Sequence, residues 1–135
     1  MKALVLLIED NPGDVGLIRV ALHEHAVECD LTVVEDGAQA IEMIQRIDDG
    51  DAPCPQFLIL DLNLPKVPGM EVLKRMRASV RCSHVPVVIL TSSDNLKDKD
   101  MAARLGASRY LKKPSRLNDF IALGGVFKEL MNAGV

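Results

Sequence analysis

The sequence predicts a doubly wound α/β domain, a parallel sheet covered by helices on both faces. Two observations carry this. Short apolar runs alternate with helix-spaced patterns along the whole chain, five of each. The runs are apolar throughout instead of alternately polar, as strands buried on both faces must be. Right-handed crossovers between parallel strands then wind the helices onto both sides. At 135 residues and 14.7 kDa the chain suits one such domain, residues 1–135, and can bury about two-thirds of its unfolded surface.

Residues 3–8 form the first apolar strand. Asn11-Pro12-Gly13 is a helix-start signal for residues 14–25, where Val15, Ile18 and Leu22 share a face with Leu17 and Ala21 beside it. Residues 31–34 are a short second strand. Over residues 38–49, Ile41, Ile44 and Ile47 recur at helical spacing, and Gly50 ends the run. A loop bracketed by prolines leads to the third strand, residues 57–60. Residues 70–78 place Met70, Leu73 and Met76 on one helical face; residues 86–90 are a fourth strand rich in Val and Ile. A weaker helix, 96–105, stops at Gly106, a good C-cap residue. Residues 108–111 are the fifth strand and 117–131 the closing helix. Gly124-Gly125 interrupts that helix at about 1 kcal/mol each relative to Ala.

Composition narrows the function. An apolar fraction of 48% excludes a disordered chain. Sixteen Lys and Arg against nineteen Asp and Glu leave a net charge of −3, and there is one Tyr, three Phe and no Trp. Neither the basic face nor the stacking platforms of a nucleic-acid binder are there. No apolar stretch approaches the ~20 residues of a membrane span. Cys29, Cys54 and Cys82 are widely spaced, odd in number and form no CxxC pair, which argues for reduced thiols in a cytosol and against a disulfide frame or zinc site. The expectation is a soluble cytoplasmic protein.

Doubly wound sheets bind ligands beyond the carboxyl ends of their strands, so the residues leaving each strand are the informative ones. The first strand exits into Glu9-Asp10, the second into Glu35-Asp36-Gly37, and the third into Asp61-Leu62-Asn63. The fourth exits into Thr91-Ser92-Ser93 and the fifth into Lys112-Lys113-Pro114. Clustered carboxylates repel one another, and a hard cation relieves the repulsion. Mg2+ takes one or two carboxylates, a carbonyl and waters, and leaves room for a phosphoryl oxygen. Thr91 and Lys113 suit the remaining phosphoryl oxygens. Phosphoryl transfer needs positioning and charge neutralisation above all, so the set fits a carboxylate that accepts a phosphoryl group. Singly the residues say less: an Asp ending a strand is commonly a turn or cap residue, and a lone Tyr110 is as easily a packing residue.

The strings LLIEDNPGD, EDGAQAIEMI, LILDLNLPKVPGMEVLKRMR, VPVVILTSS and LGASRYLKKP resemble the response-regulator receiver domains of bacterial two-component signalling, over nearly the whole chain. The LDLNLPK string looks most like small stand-alone regulators of the cyanobacterial phytochrome type. The resemblance implies a flavodoxin-like three-layer sandwich with strand order 2-1-3-4-5. It implies Asp61 as phosphoacceptor, Asp10 as direct ligand of Mg2+ or Mn2+, Glu9 as a ligand through water, and Asn63 as a backbone-carbonyl ligand. Thr91 and Lys113 would bind the phosphoryl group, Thr91 and Tyr110 would form the switch, and Lys113-Pro114 would be cis. A sensor histidine kinase is the implied phosphoryl donor. His23, His25 and His84 show no ligand spacing and are assigned no role.

Two other readings meet obstacles in the chain. Aspartyl-phosphate hydrolases of the haloacid-dehalogenase type need a second Asp two positions after the nucleophile, where Asn63 stands, and a cap insertion for which there is no room. A pseudo-receiver that takes no phosphate would not be expected to keep Asp10, Asp61, Thr91 and Lys113 together. The closing helix carries Phe120, Leu123, Phe127, Leu130 and Met131, more apolar surface than one stripe against a sheet uses. With no output domain expected, the signal should leave through a protein contact around the fifth strand and last helix, self-association included.

Overall fold

The computed structural model describes residues 2–133, with side chains for 2–132, so the outermost residues of the expected 1–135 domain lie outside it. Its elements are β1 (Ala3–Ile8), α1 (Pro12–Glu24), β2 (Cys29–Val34), α2 (Gly37–Asp48), β3 (Phe57–Leu60), α3 (Gly69–Arg77), β4 (Val87–Thr91), α4 (Leu96–Arg104), β5 (Arg109–Lys112) and α5 (Leu117–Ala133). The strands are all parallel, in the order β2-β1-β3-β4-β5. Alternate side chains of each central strand enter two separate cores, as a period of two requires. Leu6, Ile8, Leu58, Leu60, Val87 and Ile89 pack with α2 and α3. Val5, Leu7, Phe57, Ile59, Val88 and Leu90 pack with Ile18 and Leu22 of α1 and with Phe120 and Phe127 of α5.

Differences from the sequence reading fall at edges. β2 starts at Cys29, two residues before the predicted strand, because an edge strand alternates buried and exposed positions and hides among polar residues. α1 starts at Pro12, capped by the Asn11 side chain, which accepts from Asp14 N–H at 3.1 Å. Asp36 caps α2 by accepting from Gln39 N–H at 2.8 Å, so this strand-exit acid is structural. No peptide bond among the described residues is cis, which corrects the expectation for Lys113-Pro114. The trans isomer is the ordinary preference of such a bond, by about 0.5–1 kcal/mol.

The apolar surplus of α5 is also corrected. Phe120 and Phe127 are buried, and Leu123, Leu130 and Met131 lie half-buried against the same core. α5 packs on α1 as well as on the sheet, so its broad stripe has two neighbours to cover. Gly124 permits this: a Cβ there would collide with the Ala21 carbonyl of α1.

At the amino ends of the strands, Asp48 closes α2 onto the loop after α3. It accepts from Ser79 Oγ at 2.5 Å, Arg81 N–H at 3.2 Å and Arg75 Nη2 at 2.9 Å. Arg77 donates to the carbonyls of Ser83, Val85, Leu105 and Gly106 at 2.8–3.0 Å. Cys54 and Cys82 are joined by a disulfide with Cα atoms 5.9 Å apart, which corrects the expectation of three reduced thiols; Cys29 is free. They are 28 residues apart in sequence but precede adjacent parallel strands, whose entry points meet.

Candidate functional site

The ladder continues just past the strand ends and fixes the exit residues. Glu9 N–H donates to Val34, Asp61 N–H to Ile8 and Lys113 N–H to Thr91, at 2.8–3.0 Å. Three chain segments remote in sequence are thereby locked side by side. Gly69, at the start of α3, lies against the backbone of Asp61 and Leu62, where a Cβ would clash with the Asp61 carbonyl. That contact presses the loop after β3 onto the rest of the site.

Lys113 is the hub. Its Nζ lies 2.6 Å from Glu9 Oε1, 2.8 Å from Asp14 Oδ2 and 3.0 Å from Asp61 Oδ2. Glu9 and Asp61 are buried, and Asp10 is exposed beside them. Glu9, Asp10 and Asp61 each offer a carboxylate oxygen within 4.8 Å of the others, the spacing of oxygens that share one hard cation. Three carboxylates thus face one ammonium, and the fourth, Asp10, lies beside two of them.

Burial, with the neighbouring Asp61 charge, pushes the Glu9 carboxyl up to about 7 against the pull of Lys113. Burial alone would also raise Asp61. The Asn63 backbone N–H at 3.1 Å, Lys113 and the Thr91 hydroxyl outweigh it and hold Asp61 below the usual carboxylate range. Asp61 therefore stays ionised, and a carboxylate is the nucleophilic form. Burial works against the Lys113 ammonium, yet Asp14, Glu9 and Asp61 together raise its pKa, so it stays charged.

Thr91 is fully buried at the end of β4. The Asn63 amide donates to Thr91 Oγ1 and to Ser92 Oγ, both at 3.3 Å, so this side chain ties the loop after β3 to the loop after β4. The Tyr110 hydroxyl donates to the Ser93 carbonyl at 3.0 Å, and Lys99 sits 5.9 Å from its ring centre. Glu9, Asp10, Asp61, Asn63, Thr91, Tyr110 and Lys113 therefore lie at one edge of the sheet. Asp14 was not foreseen, because an acid in a first helical turn reads as a dipole partner. Its spacing of four from Asp10, one turn on, was the available signal.

Residues 5–123 match the sequence model of the response regulator receiver domain. Response regulator Rcp1 of Synechocystis sp. PCC 6803 is 32% identical over 121 residues, covering 89% of this chain and 82% of that protein. Its Mn(2+)-bound crystal structure superposes with a TM-score of 0.85 at 30% identity, over 94% of this chain and 92% of that one. The phosphorylated cyanobacterial phytochrome response regulator RcpA superposes with a TM-score of 0.89 at 29% identity, over 100% of this chain and 97% of that one. The fold, the site at its carboxyl edge and the match across residues 5–123 agree, and the chain belongs to the response regulator receiver domain family.

Proposed function

We propose that residues 1–135 act as a single receiver unit in which Asp61 accepts a phosphoryl group from a sensor histidine kinase's phosphohistidine in the cytoplasm. The observation that carries this is the meeting of ionised Asp61 with Glu9, Asp10, Thr91 and Lys113 in one half-buried cluster. An Asp61 carboxylate oxygen attacks phosphorus, the N–P bond breaks, and the imidazole leaves, giving an acyl phosphate.

The donor set fits Mg2+ or Mn2+: Asp10 and Asp61 as direct ligands, the Asn63 carbonyl as a third, and Glu9 through water. When bound, the ion supplies positive charge against the phosphoryl oxygens. Lys113 neutralises another phosphoryl oxygen, and Thr91 donates its hydroxyl to one. In this reading Thr91 turns toward the phosphoryl group and takes its hydrogen-bonded loop with it, and Tyr110, held to Ser93 in that loop, reports the change. The protein is a phosphoacceptor that assists its own phosphorylation and dephosphorylation.

The signal leaves by a protein contact with a downstream target around β5 and α5, a homodimer being one form. β5 is an edge strand with one side unpaired, and Leu117 at the start of α5 is 58% exposed. Incubation with acetyl phosphate and Mg2+, read on a phosphate-affinity gel, tests the central step. Wild type should shift and Asp61→Asn should not. Equal labelling of the two would remove Asp61 from the role.

A further inference from the structure

The sheet edge opposite the carboxylates holds an open cavity of about 630 Å3, between the entries to β1, β3 and β4 and the end of α5. Cys54 lines it and is half-buried, whereas its disulfide partner Cys82 is fully buried. A solute in the cavity can therefore reach one sulfur of the bond and not the other. Arg81, His84 and Lys128 line the same space against a single carboxylate, Glu28. Among the described residues neither Arg81 nor Lys128 forms a salt bridge; Arg81 uses one guanidinium nitrogen on the Ile47 carbonyl at 2.9 Å. Unpaired positive charge around an accessible sulfur attracts anions and favours the thiolate.

We propose that Cys54 is a thiol–disulfide exchange site whose reaction partner is an anionic low-molecular-weight thiol seated in this cavity. The partner's thiolate attacks Cys54 Sγ and forms a mixed disulfide. The Cys54–Cys82 bond breaks, its electron pair leaves on Cys82 Sγ, and Cys82 takes a proton from water. A second thiolate then attacks the partner's sulfur in the mixed disulfide and releases Cys54 as a thiolate. Two small thiols become one small disulfide, and the protein disulfide is reduced by two electrons. The reverse sequence, with the small disulfide as oxidant, remakes the bond. Because the bond ties the loop before β3 to the loop before β4, exchange at Cys54 sets whether those loops are linked.

The reduced full chain is treated with oxidised glutathione, quenched with acid at intervals and peptide-mapped by mass spectrometry. The glutathione adduct should appear on Cys54 first and decay as the Cys54–Cys82 bond forms. Cys82→Ser should trap it on Cys54. If that variant does not fold, the wild-type time course alone decides. Combined Arg81→Ala and Lys128→Ala should slow the glutathione reaction by about tenfold and leave the reaction with uncharged hydroxyethyl disulfide unchanged. A first adduct on Cys82, no Cys54–Cys82 bond at the end, or equal slowing with both disulfides would each overturn the proposal.

Discussion

The two edges of the sheet each carry a polar cluster, and the difference between them separates structure from chemistry. At the amino edge, Asp48 is met by Arg75, Ser79 and the Arg81 backbone, and Arg77 spends its donors on four carbonyls. Within these two clusters the Asp48 charge is paired and the Arg77 donors are satisfied, so neither cluster calls for a ligand. At the carboxyl edge, Glu9, Asp14 and Asp61 surround Lys113, and Asp10 adds a further carboxylate beside Glu9 and Asp61. An excess of negative charge, much of it buried, is a standing cost that a bound cation, or proton uptake by Glu9, relieves. A polar cluster is thus read as a site when its own members cannot neutralise it.

The comparison is broken most directly by a pair of substitutions with opposite outcomes. Asp61→Asn should abolish phosphoryl labelling while leaving the protein folded, losing only the share of stability that its lowered pKa contributes. Arg77→Ala should do the reverse, costing about 3 kcal/mol by leaving partly buried carbonyls without a donor, with labelling retained at temperatures where the protein is folded. Denaturant unfolding and the gel assay together check both.

The edges should also differ in the sign of their pH dependence. Asp48 is held down to about 2, with the Ser79 hydroxyl as the largest cause and burial outweighed. Its contribution is therefore present above the ordinary carboxylate range and lost as pH falls through about 2. Glu9 is raised to about 7, so its contribution is present below about 4.5 and lost as pH rises through 7. Melting temperature against pH in chelator should show Asp48→Asn removing the low-pH slope and Glu9→Gln flattening the slope toward neutrality.

A smaller effect sharpens the role of the unforeseen acid. Asp14→Asn should lower stability by under about 1 kcal/mol and leave labelling within about twofold, because Glu9 and Asp61 still hold Lys113. A loss of labelling as deep as that of Lys113→Ala would place Asp14 in the chemistry.

What could be read from the sequence follows from how local each signal is. β3 is buried on both faces, so its apolar run alone sets its bounds, while β4, equally buried, starts one residue later than its run and ends at Thr91. β2 and β5 are edge strands with exposed positions, and their predicted bounds slipped by one or two residues. Glu9, Asp10, Asp61, Thr91 and Lys113 were legible because a parallel sheet delivers all its strand exits to one edge. Cys54 with Cys82 was not legible, since their meeting depends on β3 lying beside β4. Neither was the fate of the apolar residues on α5. A residue count cannot show that one helix face covers the sheet and another covers α1 across Gly124.

The central claim is that a divalent cation relieves the charge imbalance at the carboxyl edge. Thermal unfolding against Mg2+ concentration, for wild type and Asp10→Ala, tests it most directly. Wild type should gain stability with the logarithm of Mg2+, about 2.7 kcal/mol at a hundredfold excess over the dissociation constant. Asp10→Ala should match or exceed wild type in chelator, since one repelling carboxylate is gone, and should gain little from Mg2+. A wild-type melting temperature indifferent to Mg2+, or an Asp10→Ala protein less stable than wild type in chelator, would contradict the account.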